Sequence, residues 1–180
     1  EFRRVLFRSG VYYIDNETEM LQLTKTVLNH DMKMVRKMEG KSAMDILEEA
    51  GIHPNRPVRL VVVRTFAKHP LVLEECLMPV VPLVAVADFE EALETALFTE
   101  QGYRHTAMVH SQCIDRLSKA AKIMNTTVFI KNGSSLAGIG LNGEEMASFT
   151  IANVTGEGIT TARDFACKRS CTLTSGFSLR

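Results

Sequence analysis

The chain has no tryptophan, only five prolines and four cysteines, and no surplus of either charge: 21 basic residues face 21 acidic ones. Each scarcity excludes something. A net charge of zero removes the electrostatic footprint expected of a nucleic-acid or anionic-membrane binder. No apolar run is long enough to span a bilayer, since the richest zone, residues 71–87, is broken by Glu74, Glu75, Pro79 and Pro82. Cysteines at 76, 113, 167 and 171 include one close pair, Cys167 and Cys171, with no second pair to complete a zinc site. With no signal-peptide pattern, this usage predicts a reducing, cytoplasmic setting rather than a disulfide framework. What remains is ordinary for a globular domain: 46% hydrophobic and 23% charged residues over 180 positions, enough to bury a core. Nine methionines read as adaptable core filler.

Residues 1–9, Glu-Phe-Arg-Arg-Val-Leu-Phe-Arg-Ser, read as the translation of a sequencing adapter and are set apart as an artefact. Removing Arg3, Arg4, Arg8 and Glu1 from 21 basic and 21 acidic residues leaves 18 against 20, a net of −2. The expected domain is therefore 10–180.

A short strand is expected over 11–14. Asn16-x-x-Glu19 then resembles a capping box. Met20, Val27 and Met34, and Leu21, Leu28 and Val35, repeat at seven and predict a core-facing helix to about Met38. Ser42-x-x-Asp45 starts a second helix that Gly51 stops. An alternation follows: strand 58–63, short helix 71–77, strand 80–86 with Pro82 as a blemish, and a helix capped by Asp88-x-x-Glu91. That helix has Phe89, Ala92, Leu93, Ala96 and Leu97 on one face. Next come strand 106–110, helix 111–124 with Ile114, Leu117, Ala121 and Met124 inward, and strand 126–130. Apolar strands separated by amphipathic helices predict parallel βαβ units with right-handed crossovers. From Gly133 to Gly158 the chain is glycine-rich and loop-like. The run 170–179 reads as a final strand suited to pairing with another subunit.

The chemistry-bearing residues are weak signals individually. Glu74 and Glu75 are adjacent and diverge by roughly 100° on a helix, so they do not form a paired-carboxylate site. The same two carboxylates raise the pKa of Cys76. Cys113 starts a helix, where the dipole favours a thiolate. His69, His105 and His110 flank strand ends, with His105 and His110 at opposite edges of one strand. Gly138-x-Gly140-x-x-Gly143 fits a dinucleotide fingerprint in letters alone. No βαβ unit follows it, and its glycines read as loop-turning residues.

Taken together, Glu75-Cys76-Leu77-Met78-Pro79, Arg104 through Ser111, Phe129-Ile130-Lys131-Asn132-Gly133 and Thr155 through Arg163 resemble the C-terminal part of CoA-acylating aldehyde dehydrogenases, the ethanolamine- and propanediol-utilisation type. The resemblance implies an α/β fold: the three-layer βαβ catalytic domain of that superfamily, with a C-terminal oligomerisation strand. It implies NAD as cofactor and coenzyme A as co-substrate, a short-chain aldehyde as substrate, and a homodimer or larger homo-oligomer in the full-length protein. A cytoplasmic site, or a bacterial microcompartment, is the implied location. Glu75 and Pro79 match the superfamily's Glu four before Pro, whose carboxylate hydrogen-bonds the nicotinamide ribose. Leu77 stands where an aromatic residue usually packs by the nicotinamide. His105, Thr106, Lys131, Asn132, Gly133, Gly156, Glu157 and Gly158 match signatures of the acyl and CoA side. The family's nucleophilic cysteine and dinucleotide-binding domain would lie upstream of all these motifs, and none of the four cysteines occupies its place. The expectation is a partial catalytic domain without activity of its own. The alternative is a stand-alone oligomerisation or binding module, and a hydrolysing aldehyde dehydrogenase is a third reading.

Overall fold

The computed structural model describes residues 10–142, 148, 159–172 and 174. By its packing the chain divides into two compact units, Glu1–Gly102 and Tyr103–Arg180.

In the first unit, β1 (Val11–Ile14), β2 (Leu60–Thr65) and β3 (Val80–Val84) form a parallel sheet in the order β1-β2-β3. Val11 pairs with Leu60 and Val61 with Val80, so β2 has a neighbour on both sides. Its apolar run is buried on both faces, as a central parallel strand requires: Val61 and Val63 are fully covered and Val62 nearly so. The strand begins two residues later than its composition suggests. Arg59 N and Leu60 N both donate to Gly10 O and use that stretch as an entry turn. Pro82, opposite Val63, sits in an outer strand, where a missing N–H is tolerated.

Four helices accompany this sheet before the boundary at Gly102. The first, α1 (Glu17–Val27), starts where expected, with Asn16 Oδ1 accepting from Glu19 N at 2.8 Å. It stops eleven residues short of Met38. Asn29 is the reason: its side-chain oxygen accepts from Asp31 N and Lys33 N, offering the backbone a turn in place of a helix. Leu28 then bridges to Met34, and only a 3₁₀ turn at Arg36–Met38 restores helical geometry. Of the repeat, Val27 and Leu28 are buried and Met20, Met34 and Val35 pack partly against the core, but Leu21, expected inward, is 47% exposed; Met38 reaches the core from the 3₁₀ turn. Helix α2 (Ala43–Glu49) carries a complete capping box between Ser42 and Asp45 and buries Ala43, Ile46 and Leu47. Helix α3 (Pro70–Leu73) is one turn, not the predicted two. Glu74 turns extended, and the residues after it leave the helix.

Helix α4 (Phe89–Glu100) is capped by Asp88 and closes through Gln101 in the left-handed region. Leu93 is its buried residue, and Leu97, expected inward, is exposed.

In the second unit, β4 (Thr106–Val109) and β5 (Val128–Lys131) pair in parallel, with α5 (Ile114–Met124) between them in sequence. Leu117, Ala120 and Met124 are buried, whereas Ile114, expected inward, is 71% exposed. Four-residue strands span about 13 Å and eleven helical residues about 16 Å, so the first helical residue outruns the sheet beneath. After β5 a 3₁₀ turn at Ser135–Ile139 lies against the strand. A Cβ on Gly138 would fall 2.6 Å from Val128 Cγ1 and 3.2 Å from Ile130 Cδ1. That close approach, together with Gly140 at φ +96°, accounts for two of the three glycines that mimic a dinucleotide fingerprint. Gly143 lies outside the described residues. So does most of the run 170–179; Ser170, Cys171, Thr172 and Thr174 are in no strand. Among the described residues, no helix is long and apolar enough to cross a membrane.

Gly138→Ala is expected to destabilise the chain by about 1–3 kcal/mol through overpacking onto β5. A lowered urea midpoint with an unchanged slope checks it; an unchanged midpoint would show that Val128 and Ile130 yield freely.

Candidate cofactor segment and catalytic residues

Residues 74–79 join α3 to β3 without regular structure and so lie at the amino edge of the three-stranded sheet. Backbone bonds pin this segment at both ends. Gly40 N donates to Leu77 O at 2.9 Å, and Val61 N to Pro79 O at 2.9 Å. Glu74, half-buried, accepts from Lys33 Nζ at 2.5 Å and is thereby committed to the turn after α1. Glu75 is exposed and takes no hydrogen bond or ion pair among the described residues. The two neighbours thus diverge, as expected, though through an extended backbone and not a helix. Leu77 is exposed and Pro79 half-buried. A free carboxylate on a backbone-fixed segment fits an acceptor for a sugar hydroxyl.

Cys76 lies between these groups and is half-buried, its Sγ 3.5 Å from Leu71 O. Burial, with the charge of Glu74 adding to it, pushes its thiol up to about 11. The sequence anticipated the direction, but the carboxylate is the lesser cause. Cys113, Cys167 and Cys171 are exposed free thiols. Cys113 caps α5 without a side-chain hydrogen bond.

The three histidines differ sharply. His69 is buried; its Nδ1 accepts from Leu71 N at 3.2 Å, and its ring meets Phe66 edge-on at 5.4 Å between centroids. Burial lowers its pKa from the ordinary 6.5. The stability it contributes as a neutral cap is therefore present above pH 6.5 and is lost as pH falls through the lowered value. It is a structural cap. His105 is exposed, and its Nδ1 shares a hydrogen bond of 2.7 Å with Thr106 Oγ1. His110 is exposed just beyond the other end of β4.

Lys131 ends β5, and Asn132 and Gly133 follow it at the carboxyl edge of its sheet. Asn132, at φ +54°, clasps the main chain after β4. Its Oδ1 accepts from Ser111 N at 2.8 Å, and its Nδ2 donates to Ser111 O at 3.0 Å. Ser111 Oγ in turn accepts from Cys113 N. Parallel pairing puts His105 and Thr106 at the amino edge and Lys131 to Gly133 at the carboxyl edge, about 13–16 Å apart. The residues grouped on the acyl and CoA side are thus two clusters, at opposite ends of this sheet. Gly156, Glu157 and Gly158 lie outside the described residues. Sequence reasoning missed the Asn132 clasp, the His69 cap and the Lys33–Glu74 pair. An Asn-Gly pair directly after a strand was the available signal for the clasp. Among the described residues no cluster of His, Cys, Asp and Glu could hold a metal ion.

Comparison with known proteins sets these segments in context. No family model matches the chain. The propanal dehydrogenase (CoA-propanoylating) of Salmonella typhimurium is 50% identical over 146 residues, 81% of this chain and 32% of that protein. The acetylating acetaldehyde dehydrogenase EutE of the same organism is 41% identical over 80% of this chain and 31% of its own length. The chain therefore spans about a third of the length of the curated relatives it matches. Among solved structures, the Rhodopseudomonas palustris propionaldehyde dehydrogenase with bound propionyl-CoA superposes with a TM-score of 0.86. It is 39% identical, over 93% of this chain and 37% of that one. A propionaldehyde dehydrogenase from the fucose utilisation bacterial microcompartment of Clostridium phytofermentans gives 0.86 at 34% identity, over 99% and 41%. An engineered glycolyl-CoA reductase with bound NADP+ is equally similar in fold, at 0.86.

At pH 8 a thiol held at about 11 carries about a hundredfold less thiolate than an unperturbed cysteine. Alkylation of Cys76 by iodoacetamide at pH 8, followed by peptide mass spectrometry, is expected to lag the exposed cysteines and to quicken as pH rises toward 11. Equal labelling of all four at pH 8 would overturn the assignment.

Proposed function

We propose, from the premise that this chain belongs to the CoA-acylating aldehyde dehydrogenases over the third of their length that it spans, that it supplies the C-terminal part of such an enzyme's catalytic domain. The full protein would convert a short-chain aldehyde, coenzyme A and NAD to acyl-CoA and NADH. The observation carrying this reading is the Glu75 segment: a free carboxylate four residues before Pro79, fixed by backbone bonds from Gly40 and Val61.

In the full enzyme, Glu75 would accept a hydrogen bond from the nicotinamide ribose, with Leu77 and Pro79 shaping the adjacent wall. NAD, when bound, accepts the hydride. His105 and Thr106 would serve on the CoA side, with His105 taking the proton of the CoA thiol as its sulfur attacks the enzyme-bound thioester. Lys131, Asn132 and Gly133 would hold the loop around Ser111. Cys76, kept neutral by burial, is unsuited to be the nucleophile. That role falls to a cysteine outside this sequence, so the chain alone is inactive. That the relatives are CoA-propanoylating and acetylating dehydrogenases favours acyl transfer to CoA over hydrolysis. The origin of one solved neighbour supports a microcompartment as the setting, within the cytoplasm. Homo-oligomers are part of the same reading.

Purified chain incubated with propanal, NAD and CoA is expected to produce no NADH above background; measurable CoA-dependent NADH would overturn the proposal that the nucleophile lies elsewhere. In the full-length enzyme, Glu75→Gln is expected to raise KM for NAD by about ten- to a hundredfold, the worth of one hydrogen bond to a charged acceptor. An unchanged KM would remove Glu75 from the cofactor site.

A further inference from the structure

The main chain at His105 is fixed on one side only by its backbone. Val128 N donates to His105 O at 3.0 Å, and Thr127 N to Arg104 O at 2.8 Å, which register β4 against β5. Neither bond restrains the imidazole, which is exposed. Thr106 Oγ1 lies 2.7 Å from Nδ1 of the ring. Thr106 is the first residue of β4 and β-branched, so its own side-chain torsion is stiff. A stiff hydroxyl on a paired strand is therefore the group placed to orient the exposed ring.

We propose that Thr106 is the positioning residue for His105: Nδ1–H donates to Thr106 Oγ1, which leaves the lone pair on Nε2. This rests on the proposed role of His105 toward the CoA thiol. The balance is complete. The thiol proton moves to Nε2, the new C–S bond forms from the thiol's electron pair, and the old C–S bond breaks with its pair leaving on the enzyme's cysteine. The imidazolium then carries protons on both nitrogens. Thr106 Oγ1 accepts in the neutral and the charged state alike, so the ring need not turn during the transfer. A hydroxyl that donated to Nδ1 instead would put the proton on Nε2 and disable that nitrogen as a base.

Two measurements test this separately. In the full 180-residue chain labelled with 15N-histidine, the neutral His105 ring is expected to show an unprotonated Nε2 and a protonated Nδ1. Thr106→Val, which keeps the β-branch, is expected to release that preference, and Thr106→Ser to retain it. A protonated Nε2 in the unsubstituted chain overturns the proposal. In the full-length enzyme, Thr106→Val is expected to lower CoA-dependent turnover by about ten- to a hundredfold. The first-turnover burst of NADH should stay intact, and Thr106→Ser should remain near the unsubstituted rate. Val and Ser variants that both match the unsubstituted enzyme overturn the proposal. An unsubstituted enzyme that releases free acid without needing CoA overturns the functional reading, and the ring measurement then judges the Thr106 contact by itself.

Discussion

Strand β2 is the constraint on which the first unit depends. Among the described residues it is the strand of its sheet with partners on both sides, and its valines are covered above and below. Helices α1, α2 and α3 contribute Leu23, Val27, Ile46, Leu47 and Leu71 to one continuous core with Val61 and Val63 of this strand. The same pairing decides where the segment 74–79 ends. Val61 N, in the first pair of the β2–β3 ladder, is the donor that fixes Pro79. The placement of Glu75 is thus a by-product of the register between two hydrophobic strands.

The parts of this fold legible in sequence were those governed by local chemistry. Asn16, Ser42 and Asp88 each cap the helix that their side chains announce, because a short polar oxygen next to free amides has few other uses. The parallel order of alternating strands and helices was legible for the same reason that apolar runs without alternation mean burial on both faces. Lengths were less legible. The repeat through Met20, Val27 and Met34 records which residues face the core, and a helix followed by a turn and a bridge can satisfy it as well as one long helix. Only Asn29, two residues past the end of α1, marked the difference, and an asparagine gives no sign in sequence of which backbone amides it will take.

Legibility of the site followed a similar line. The four-residue spacing of Glu75 and Pro79 is a fact of sequence, whereas how His105 lies relative to Lys131 is a matter of space that spacing cannot supply. Parallel pairing of β4 and β5 separates them by a strand's length. Each cluster then has its own local logic: a hydroxyl oriented on a ring at one edge, and an amide clasping a loop at the other.

That clasp also bears on how long the protein lasts. Asn132 precedes a glycine, the neighbour that offers least steric resistance when a backbone nitrogen attacks a side-chain amide and converts asparagine to aspartate. Here both side-chain atoms are engaged by Ser111, which holds the amide away from the following nitrogen. Loss of the clasp would do more than loosen a loop. It would start a slow, irreversible chemical ageing at the turn, replacing the donor to Ser111 O with an oxygen that repels it, so that each opening of the loop makes the next one easier.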